Sequence, residues 1–307
     1  DPRLPGVAPA AEILSYRILD NDGVTSSFTL AEAIVSAVDN GASIINVSLG
    51  STGDSGMVQD AVSYAIDRGA LVVASAGNEG VGEVSFPAAL DGVVAVAAND
   101  ARGEHLDFSN SGTAMLDNGI AAPGYEVTAA WPEEMGVNFS GTSASAPHVS
   151  GAIAAVMSQN PGMTAQQASE ALVYHSNEAG APGSDPQYGV GNLNIGRVLN
   201  ANTPGMSDVA VASYYYDPLF SNGAVEYAQV VIENRGTTAL HNVSVDIDSG
   251  AGGARTYNVS YLDAGDVSVI EAPLDNSGGP ISVSANARLE GDRNAGDNIV
   301  QRVIEFE

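Results

Sequence analysis

Three apolar runs constrain the fold of this chain more than any other feature. Residues 43–48, 71–76 and 92–98 are dominated by valine, isoleucine and alanine. Patterns with helical periodicity precede the first two runs, at 26–40 and 56–68. Strands without polar alternation are buried on both faces, which is typical of parallel strands covered by helices. The sequence therefore predicts an α/β domain with a mostly parallel sheet and helices on both faces.

Further segments extend this predicted domain in both directions. Residues Glu12–Leu19 are apolar enough to predict another strand of the sheet. Residues 142–159 and 164–175 predict helices, and a short helical element is expected around 195–200. With these elements, we expect the first domain to cover residues 1–200.

The composition changes after residues 201–206, which contain proline and glycine and are interpreted as a linker. From residue 207 to residue 307, short segments rich in β-branched residues alternate with turn residues. Seven such segments predict the strands of an all-β sandwich. The predicted strands are 208–216, 225–233, 242–247, 257–262, 267–272, 281–288 and 298–306. The segments 230–236 and Leu240–Ile247 resemble bacterial cell-adhesion-related immunoglobulin-like modules, which implies an immunoglobulin-like sandwich.

The charge of the chain restricts its partners. There are 37 acidic residues against 10 basic ones, all of them arginine, and the net charge is −27. Such a surface repels nucleic acid and anionic membranes, so neither is an expected partner. No apolar run reaches the roughly 18 residues needed for a membrane span. We expect an extracellular or cell-surface protein, and the alternative is that the acidity serves solubility alone.

Metal and cofactor signals are weak. The chain has no cysteine, so a disulfide or a thiolate metal site is excluded. Asp20–Gly23 and Asp292–Asn298 carry oxygen ligands at loop spacing, but the same residues are typical of plain turns. No cofactor is expected for catalysis. Structural calcium is left open, and no site is assigned to it.

The stretch Phe139–Gly151, FSGTSASAPHVSG, carries the main chemical signal. It begins with small, turn-forming residues and continues into an apolar helix. Thr142 or Ser143 is expected to cap this helix, whose free N–H groups and positive dipole end lie beside the Ser143 hydroxyl. A nucleophile that develops negative charge is stabilised in such a place. The alternative interpretation of Ser143 is a helix cap without chemistry.

This stretch resembles the nucleophile motif of the subtilisin-like serine proteases, and Ser143 takes the position of the nucleophile. The resemblance covers about residues 6–200. It implies a subtilisin-like fold and a serine endopeptidase that hydrolyses peptide bonds through an acyl-enzyme on Ser143. Segment Ser75–Gly80, SAGNEG, resembles the family's oxyanion segment. That resemblance implies that Asn78 donates a hydrogen bond to the oxyanion.

Two further segments resemble the part of this family that binds an extended polypeptide substrate. The first follows the strand at 43–48 and is expected to pair with the peptide by strand addition. The second is expected to border the pocket for the residue before the scissile bond. The predicted substrate-binding residues are Ser48, Leu49, Gly50, Ser75, Ala76 and Gly77.

The aspartate and histidine of the family's catalytic triad have no counterpart in this chain. In the family both precede the segment that resembles Gly6–Ile13. The histidines His105, His148, His175 and His241 lie in patterns typical of structural roles. We therefore expect an N-terminally truncated domain that is inactive alone. The alternative is a catalytically dead scaffold that binds peptides or surfaces, and the ligand of the sandwich is left open between a surface, a carbohydrate and a protein.

Overall fold

The computed structural model describes residues 6–131, 135–216, 226–250, 252–274 and 279–304. The chain divides into two compact units, of which the first comprises Asp1–Ser176 and Ser184–Val198 and the second Asn177–Gly183 and Leu199–Glu307. The predicted boundaries at 1–200, 201–206 and 207–307 stay predictions. Across the described ranges, no helix has both the length and the apolarity needed to cross a membrane.

The first unit is built on four parallel strands. They are β1 (Ile44–Val47), β2 (Leu71–Ser75), β3 (Val94–Asn99) and β4 (Ile120–Pro123), and they are hydrogen-bonded in this order. Each neighbouring pair is parallel. Every residue of β2 and β3 is buried, as expected for strands covered on both faces. The parallel sheet predicted from the apolar runs is therefore confirmed, and β4 is an addition to it.

Helices cover this sheet. In chain order they are α1 (Ser27–Asp39), α2 (Gly56–Asp67), α3 (Met115–Asn118), α4 (Thr142–Gln159), α5 (Ala165–Tyr174) and α6 (Ile195–Asn200). The apolar side of α4, including Val149 and Ile153, shares one core with Val73 of β2 and Val96 of β3. Leu172 of α5 closes the same core. Burial of α4 against the strands fixes where the helix begins, and with it the position of Ser143.

The predicted strand at Glu12–Leu19 is wrong. This segment has no strand structure, and the Ile13 side chain is 83% exposed. A strand needs a neighbour for its N–H and C=O groups, and within the described structure these residues pair with none. A second departure is a hairpin of β5 (Val127–Trp131) and β6 (Met135–Phe139), which the sequence did not indicate.

The second unit consists of two antiparallel sheets. Its strands are β7 (Val209–Tyr215), β8 (Glu226–Asn234), β9 (Leu240–Asp248), β10 (Arg255–Leu262), β11 (Val267–Leu274), β12 (Ile281–Arg288) and β13 (Ile299–Ile304). One sheet has the order β10-β9-β12-β13, and the other has the order β11-β8-β7. Side chains of both sheets, among them Ile232 and Ile247, form a single apolar core. This arrangement is compatible with the predicted sandwich, and its immunoglobulin-like character stays a prediction. Val225 and 305–306, at the ends of two predicted strands, lie outside the described residues.

A buried ion network crosses the second unit. The Arg235 side chain donates to Glu233 at 2.9 Å through Nε and to Asp297 at 2.7 Å through Nη1. Burial lowers the pKa of Arg235, but the two carboxylates outweigh it and raise the pKa overall. A buried cation without partners is strongly destabilising, so these contacts tie β8 to the loop before β13.

Candidate active site

Ser143 lies in the first turn of α4 with its side chain exposed. The residue before the helix is Gly141, whose φ of 144° is favourable for glycine and strained for other residues. The cap residue is this glycine, so the prediction that Thr142 or Ser143 caps the helix is wrong. The cap residue itself has no side chain, and the first N–H of α4, that of Thr142, is accepted by the Asn78 side chain from another segment.

Pro147 determines the hydrogen bonding of Ser143. It stands inside α4, four residues after Ser143, and has no N–H to donate to the Ser143 carbonyl. Ser48 Oγ donates to that carbonyl instead, at 3.1 Å. In return, the Ser143 hydroxyl donates to the Ser48 carbonyl oxygen at 3.2 Å. The structure thereby brings together two predicted site residues from the end of β1 and the start of α4.

A series of side-chain hydrogen bonds connects Ser150 of α4 to Ser48 through Asn46. Ser150 Oγ donates to Asn46 Oδ1 at 3.1 Å. The Asn46 amide donates in turn to Ser48 Oγ at 2.9 Å. Ser48 can therefore accept from Asn46 while it donates to Ser143. Sequence reasoning missed Asn46 and Ser150, since their partners are about a hundred residues away and nothing local indicates the contact.

Asn78 is held by Thr142, the residue before Ser143. The Thr142 main-chain N–H donates to Asn78 Oδ1 at 2.8 Å, and the Thr142 hydroxyl contacts the same oxygen at 3.0 Å. Because the carboxamide is planar, an oxygen fixed on Thr142 turns the two Nδ2 donors away from it. Asn78 is exposed, so these donors can reach a ligand atom near the start of α4.

The turn that carries Asn78 has its own supports. Glu79 folds back so that its carboxylate accepts the Asn78 main-chain N–H at 2.9 Å. Asn110 is 1% exposed and is hydrogen-bonded to Glu79, Val81 and Ser85. Sequence reasoning missed both supporting residues. Asn110 stands in a short run of small polar residues that resembles an ordinary loop, so only the folded chain reveals its contacts.

The six predicted substrate-binding residues lie on two segments joined by a third. Ser85 donates its N–H to the Ala76 carbonyl at 2.8 Å, and Ser51 and Phe86 exchange both main-chain hydrogen bonds at 2.9 Å. A side chain at Gly50 would collide with Ser85, so the segments run close together. Ser75 and Ala76 are buried, whereas Gly50 is exposed. The role of these residues in substrate binding stays a prediction.

His148 follows Ser143 along α4 but is directed elsewhere. Its Nδ1 lies 2.9 Å from the Ala144 carbonyl, within the same helix. The Ser143 hydroxyl donates to Ser48. In the part of the chain that the structure describes, no histidine or acidic side chain is hydrogen-bonded to the Ser143 hydroxyl.

The other histidines also have structural surroundings. His105 packs edge-on against Tyr188, and burial lowers the pKa of its imidazole. His175 ends α5, and burial together with the charge of Arg197 lowers its pKa. His241 lies in the second unit. None of these side chains is hydrogen-bonded to Ser143 within the described ranges.

The two loops with candidate metal ligands are organised by main-chain N–H groups. Asp20 accepts from the N–H groups of Asp22 and Val24. Asp292 accepts from the N–H groups of Asn294 and Val209. The described residues contain no group of three or more histidine, aspartate or glutamate side chains placed to hold a metal ion. The calcium content of the protein stays open.

Comparisons with known proteins point to one family. Residues 1–191 match the family model described as the Subtilase family. Subtilisin Savinase of Lederbergia lenta is 39% identical over 189 residues, which are 62% of this chain and 68% of that protein. A thermostable alkaline protease of Halalkalibacterium halodurans is 38% identical over 192 residues, 62% of this chain and 52% of that protein. The Minor extracellular protease Epr of Bacillus subtilis is 34% identical over 189 residues, 61% of this chain and 29% of that protein.

Solved structures agree with these relatives. The Patellamide maturation protease PatA is 34% identical with a TM-score of 0.54, over 59% of this chain and 70% of that one. Sphericase is 32% identical with a TM-score of 0.56, over 61% of this chain and 69% of that one. These similarities support a subtilisin-like α/β fold. The chain spans about half the length of the alkaline protease and about two thirds of Subtilisin Savinase.

Proposed function

This chain belongs to the subtilase family, and from that premise we propose that it carries the nucleophile and the oxyanion site of a serine endopeptidase. Ser143 Oγ attacks the carbonyl carbon of a peptide bond and its proton passes to a base; the base then gives this proton to the amide nitrogen, the C–N bond breaks, and the amine leaves an acyl-enzyme behind. The oxyanion accepts hydrogen bonds from Asn78 Nδ2 and the Ser143 N–H. One observation supports this proposal: the Thr142 N–H and hydroxyl hold the Asn78 carboxamide oxygen, which turns the Nδ2 donors away from Thr142.

The proposed substrate is an extended polypeptide. Its backbone pairs with Ser48–Gly50 by strand addition, and Ser75–Gly77 borders the pocket for the residue before the scissile bond. The support is the way Ser85 and Phe86 hold these two segments side by side. The proposed location is extracellular or cell-surface, which agrees with the name of the Bacillus subtilis relative. For the second unit we propose an accessory role in binding a surface, a carbohydrate or a protein.

We further propose that the 307-residue polypeptide is inactive or very slow alone, because its histidines are not placed to take the Ser143 proton. The support is that the Ser143 hydroxyl donates to a main-chain carbonyl and His148 is engaged within its own helix. Oxyanion donors and substrate binding without a triad base retain about 10³–10⁴-fold catalysis over water. That residual catalysis does not need the nucleophile, so acylation of Ser143 itself is expected to be slow unless a base is added.

Chemical rescue tests this proposal. The purified chain is incubated with a serine-reactive phosphonate, with and without added imidazole, and the modified residue is identified by mass spectrometry. Labelling is expected at Ser143, to be slow alone and to accelerate in proportion to imidazole. The S143A variant should show no labelling at this peptide. Fast labelling without imidazole would contradict the absence of a base.

The same experiment separates the enzyme from the alternative scaffold. A scaffold would bind an extended peptide but show no more labelling than S143A, even at high imidazole. Peptide binding to wild type and to S143A is measured by fluorescence anisotropy, so that labelling can be compared with binding in each protein. Binding without imidazole-dependent acylation would favour the scaffold and count against the peptidase.

A further inference from the structure

We infer that Asn110 is a positioning residue of the oxyanion site, which holds the turn that carries Asn78 without touching substrate. The inference rests on the proposed role of Asn78 and extends it to a residue that no motif indicates. Asn110 comes from the loop between β3 and α3, some thirty residues beyond the turn that it supports.

The carboxamide oxygen of Asn110 organises the main chain of the turn. It accepts from the Glu79 N–H at 2.9 Å and from the Val81 N–H at 3.2 Å. Both donors belong to the turn that directly follows Asn78. The Asn110 side chain thus supplies the acceptor for two main-chain N–H groups, which a neighbouring strand would supply in a β-sheet. Glu79 and Val81 are exposed residues, but their hydrogen bonds to Asn110 are partly buried, so without Asn110 these two N–H groups would have to find other acceptors there.

The carboxamide nitrogen of Asn110 reaches Asn78 through one intermediate. It donates to Glu79 Oε2 at 2.8 Å and contacts Ser85 Oγ at 3.3 Å. The same Glu79 oxygen accepts the Asn78 main-chain N–H at 2.9 Å. Asn110 therefore fixes the carboxylate that in turn fixes the Asn78 backbone. With four hydrogen bonds, the carboxamide of Asn110 is fully used.

The turn is shaped around this side chain. At Gly77 the backbone has a φ of 113°, and a Cβ there would overlap with Asn110 Nδ2. The Asn110 main-chain N–H also donates to the Gly77 carbonyl at 3.1 Å. Asn110 is 1% exposed, so no water competes for its bonds. A hydrogen bond to Glu79, which Asn110 fixes in turn, thus holds the Asn78 backbone, while hydrogen bonds from Thr142 hold the Asn78 side chain.

An isosteric substitution isolates this role. In N110D the carboxylate oxygen that replaces Nδ2 would face the Glu79 carboxylate, and the other oxygen would still accept from Glu79 and Val81. Glu79 is the titratable side chain in contact with position 110, and Asp107 of the same loop lies beside Gly80 through its main-chain carbonyl. Below neutral pH one proton shared by the two carboxyl groups would restore the hydrogen bond.

The experiment measures imidazole-supported labelling of Ser143 in wild type, N110D, N110A and N99D between pH 5 and 8. We expect labelling about 10- to 100-fold slower in N110A. N110D should be similarly slow at pH 8, and its ratio to wild type should recover toward pH 5. Asn99 is equally buried but donates to Asn192, so N99D controls for the effect of a buried charge. An N110D-to-wild-type ratio that is flat with pH, or a loss in N99D as large as in N110A, would overturn the inference.

Amide hydrogen exchange keeps the two proposals separable. In N110A the Glu79 and Val81 amides should exchange at least about tenfold faster than in wild type, while the Val96 amide in β3 stays protected. If wild type is labelled no faster than S143A, the proposed function fails, and exchange still decides whether Asn110 holds the turn. Unchanged exchange at Glu79 and Val81 in folded N110A would refute the positioning role.

Discussion

The surroundings of Asn78 and those of the Ser143 hydroxyl differ in how many hydrogen bonds from the described residues fix them. On the oxyanion side, Asn78 is fixed at its side chain by Thr142 and at its backbone by Glu79. On the other side, the Ser143 hydroxyl donates to the Ser48 carbonyl, which can orient it but cannot remove its proton. Under the proposed function, the residues that would stabilise the oxyanion are therefore different from the group that would activate the nucleophile.

The physical reason for this separation is that the two tasks need different groups. Donors for an oxyanion work best when they are fixed before charge develops, so neutral amides held in a hydrogen-bonded core are sufficient. Activation of a serine needs a group that titrates near the working pH. The amides of Asn78 and Asn110 and the hydroxyl of Thr142 do not titrate, so the proposed oxyanion site needs no base to be organised.

Removal of the Asn78 donors should give the largest effect and tests the oxyanion side directly. In N78D the remaining oxygen can still accept from Thr142, but a carboxylate oxygen replaces the donor. Imidazole-supported labelling of Ser143 is expected to fall about 10²–10³-fold, the size found when one oxyanion donor is removed from a subtilisin. N78A should lose a comparable factor. Equal labelling of wild type and N78D would show that Asn78 is not an oxyanion donor.

Loss of the Thr142 hydroxyl should have an intermediate effect. T142V removes one of the two bonds to Asn78 Oδ1, and the main-chain bond at 2.8 Å remains. We expect labelling about tenfold slower and unfolding easier by about 1–2 kcal/mol, because Thr142 is fully buried. T142S keeps the hydroxyl and serves as the control. Labelling in T142S as slow as in T142V would assign the effect to packing of the methyl group.

Removal of the Ser48 hydroxyl should lower the free energy of unfolding more clearly than it slows the labelling of Ser143. S48A leaves the Ser143 carbonyl without a donor, since Pro147 cannot supply one. We expect a loss of about 1 kcal/mol in urea unfolding and labelling reduced less than about tenfold. In a P147A background the new N–H can replace the Ser48 hydroxyl, so S48A should cost less there. S51A is a matched control, because Ser51 Oγ donates to Gly53 away from Ser143. A cost of S48A that is the same in both backgrounds would refute this account.

The smallest expected effect is on the pH dependence of the free energy of unfolding. It concerns His105, which supports the fold and, among the described residues, is not hydrogen-bonded to Ser143. Burial lowers the pKa of His105, so the folded chain binds fewer protons there than the unfolded chain does below about pH 6.5. Stability should therefore fall as the pH drops from 7 to 5. In H105Q this fall should be smaller, as measured by urea unfolding at both pH values. Identical pH dependence in the two proteins would rule out His105 as a contributor.

The parts of the structure that were predicted correctly depend on local patterns. The apolar runs at 71–76 and 92–98 predicted β2 and β3, because a strand buried on both faces needs apolar residues at every position. The helix at 142–159 was predicted with the bounds that it has in the structure. Ser143 and Asn78 could be singled out because their motifs resemble those of one family, and their roles stay proposals.

The wrong predictions depend on partners that a local pattern does not contain. Glu12–Leu19 has the apolar content of a strand but no neighbour to pair with among the described residues. Thr142 has the chemistry of a helix cap, yet its hydroxyl contacts Asn78 and Gly77 instead. In both cases a distant segment decides where the hydrogen bonds go.

Local patterns in the amino-acid sequence are sufficient to establish the parallel sheet, the second β-rich region and the membership in the subtilase family. Apolar periodicity and short motifs encode these features locally, so they can be recognised without a structure. Two contacts become visible only in the folded chain: Ser48 donates to the Ser143 carbonyl that Pro147 leaves without a donor, and Asn110 supports the turn of Asn78. Such contacts join residues that are thirty to about a hundred positions apart. Hydrogen bonds of this kind depend on which surfaces the buried core brings together, and no spacing in the chain encodes that.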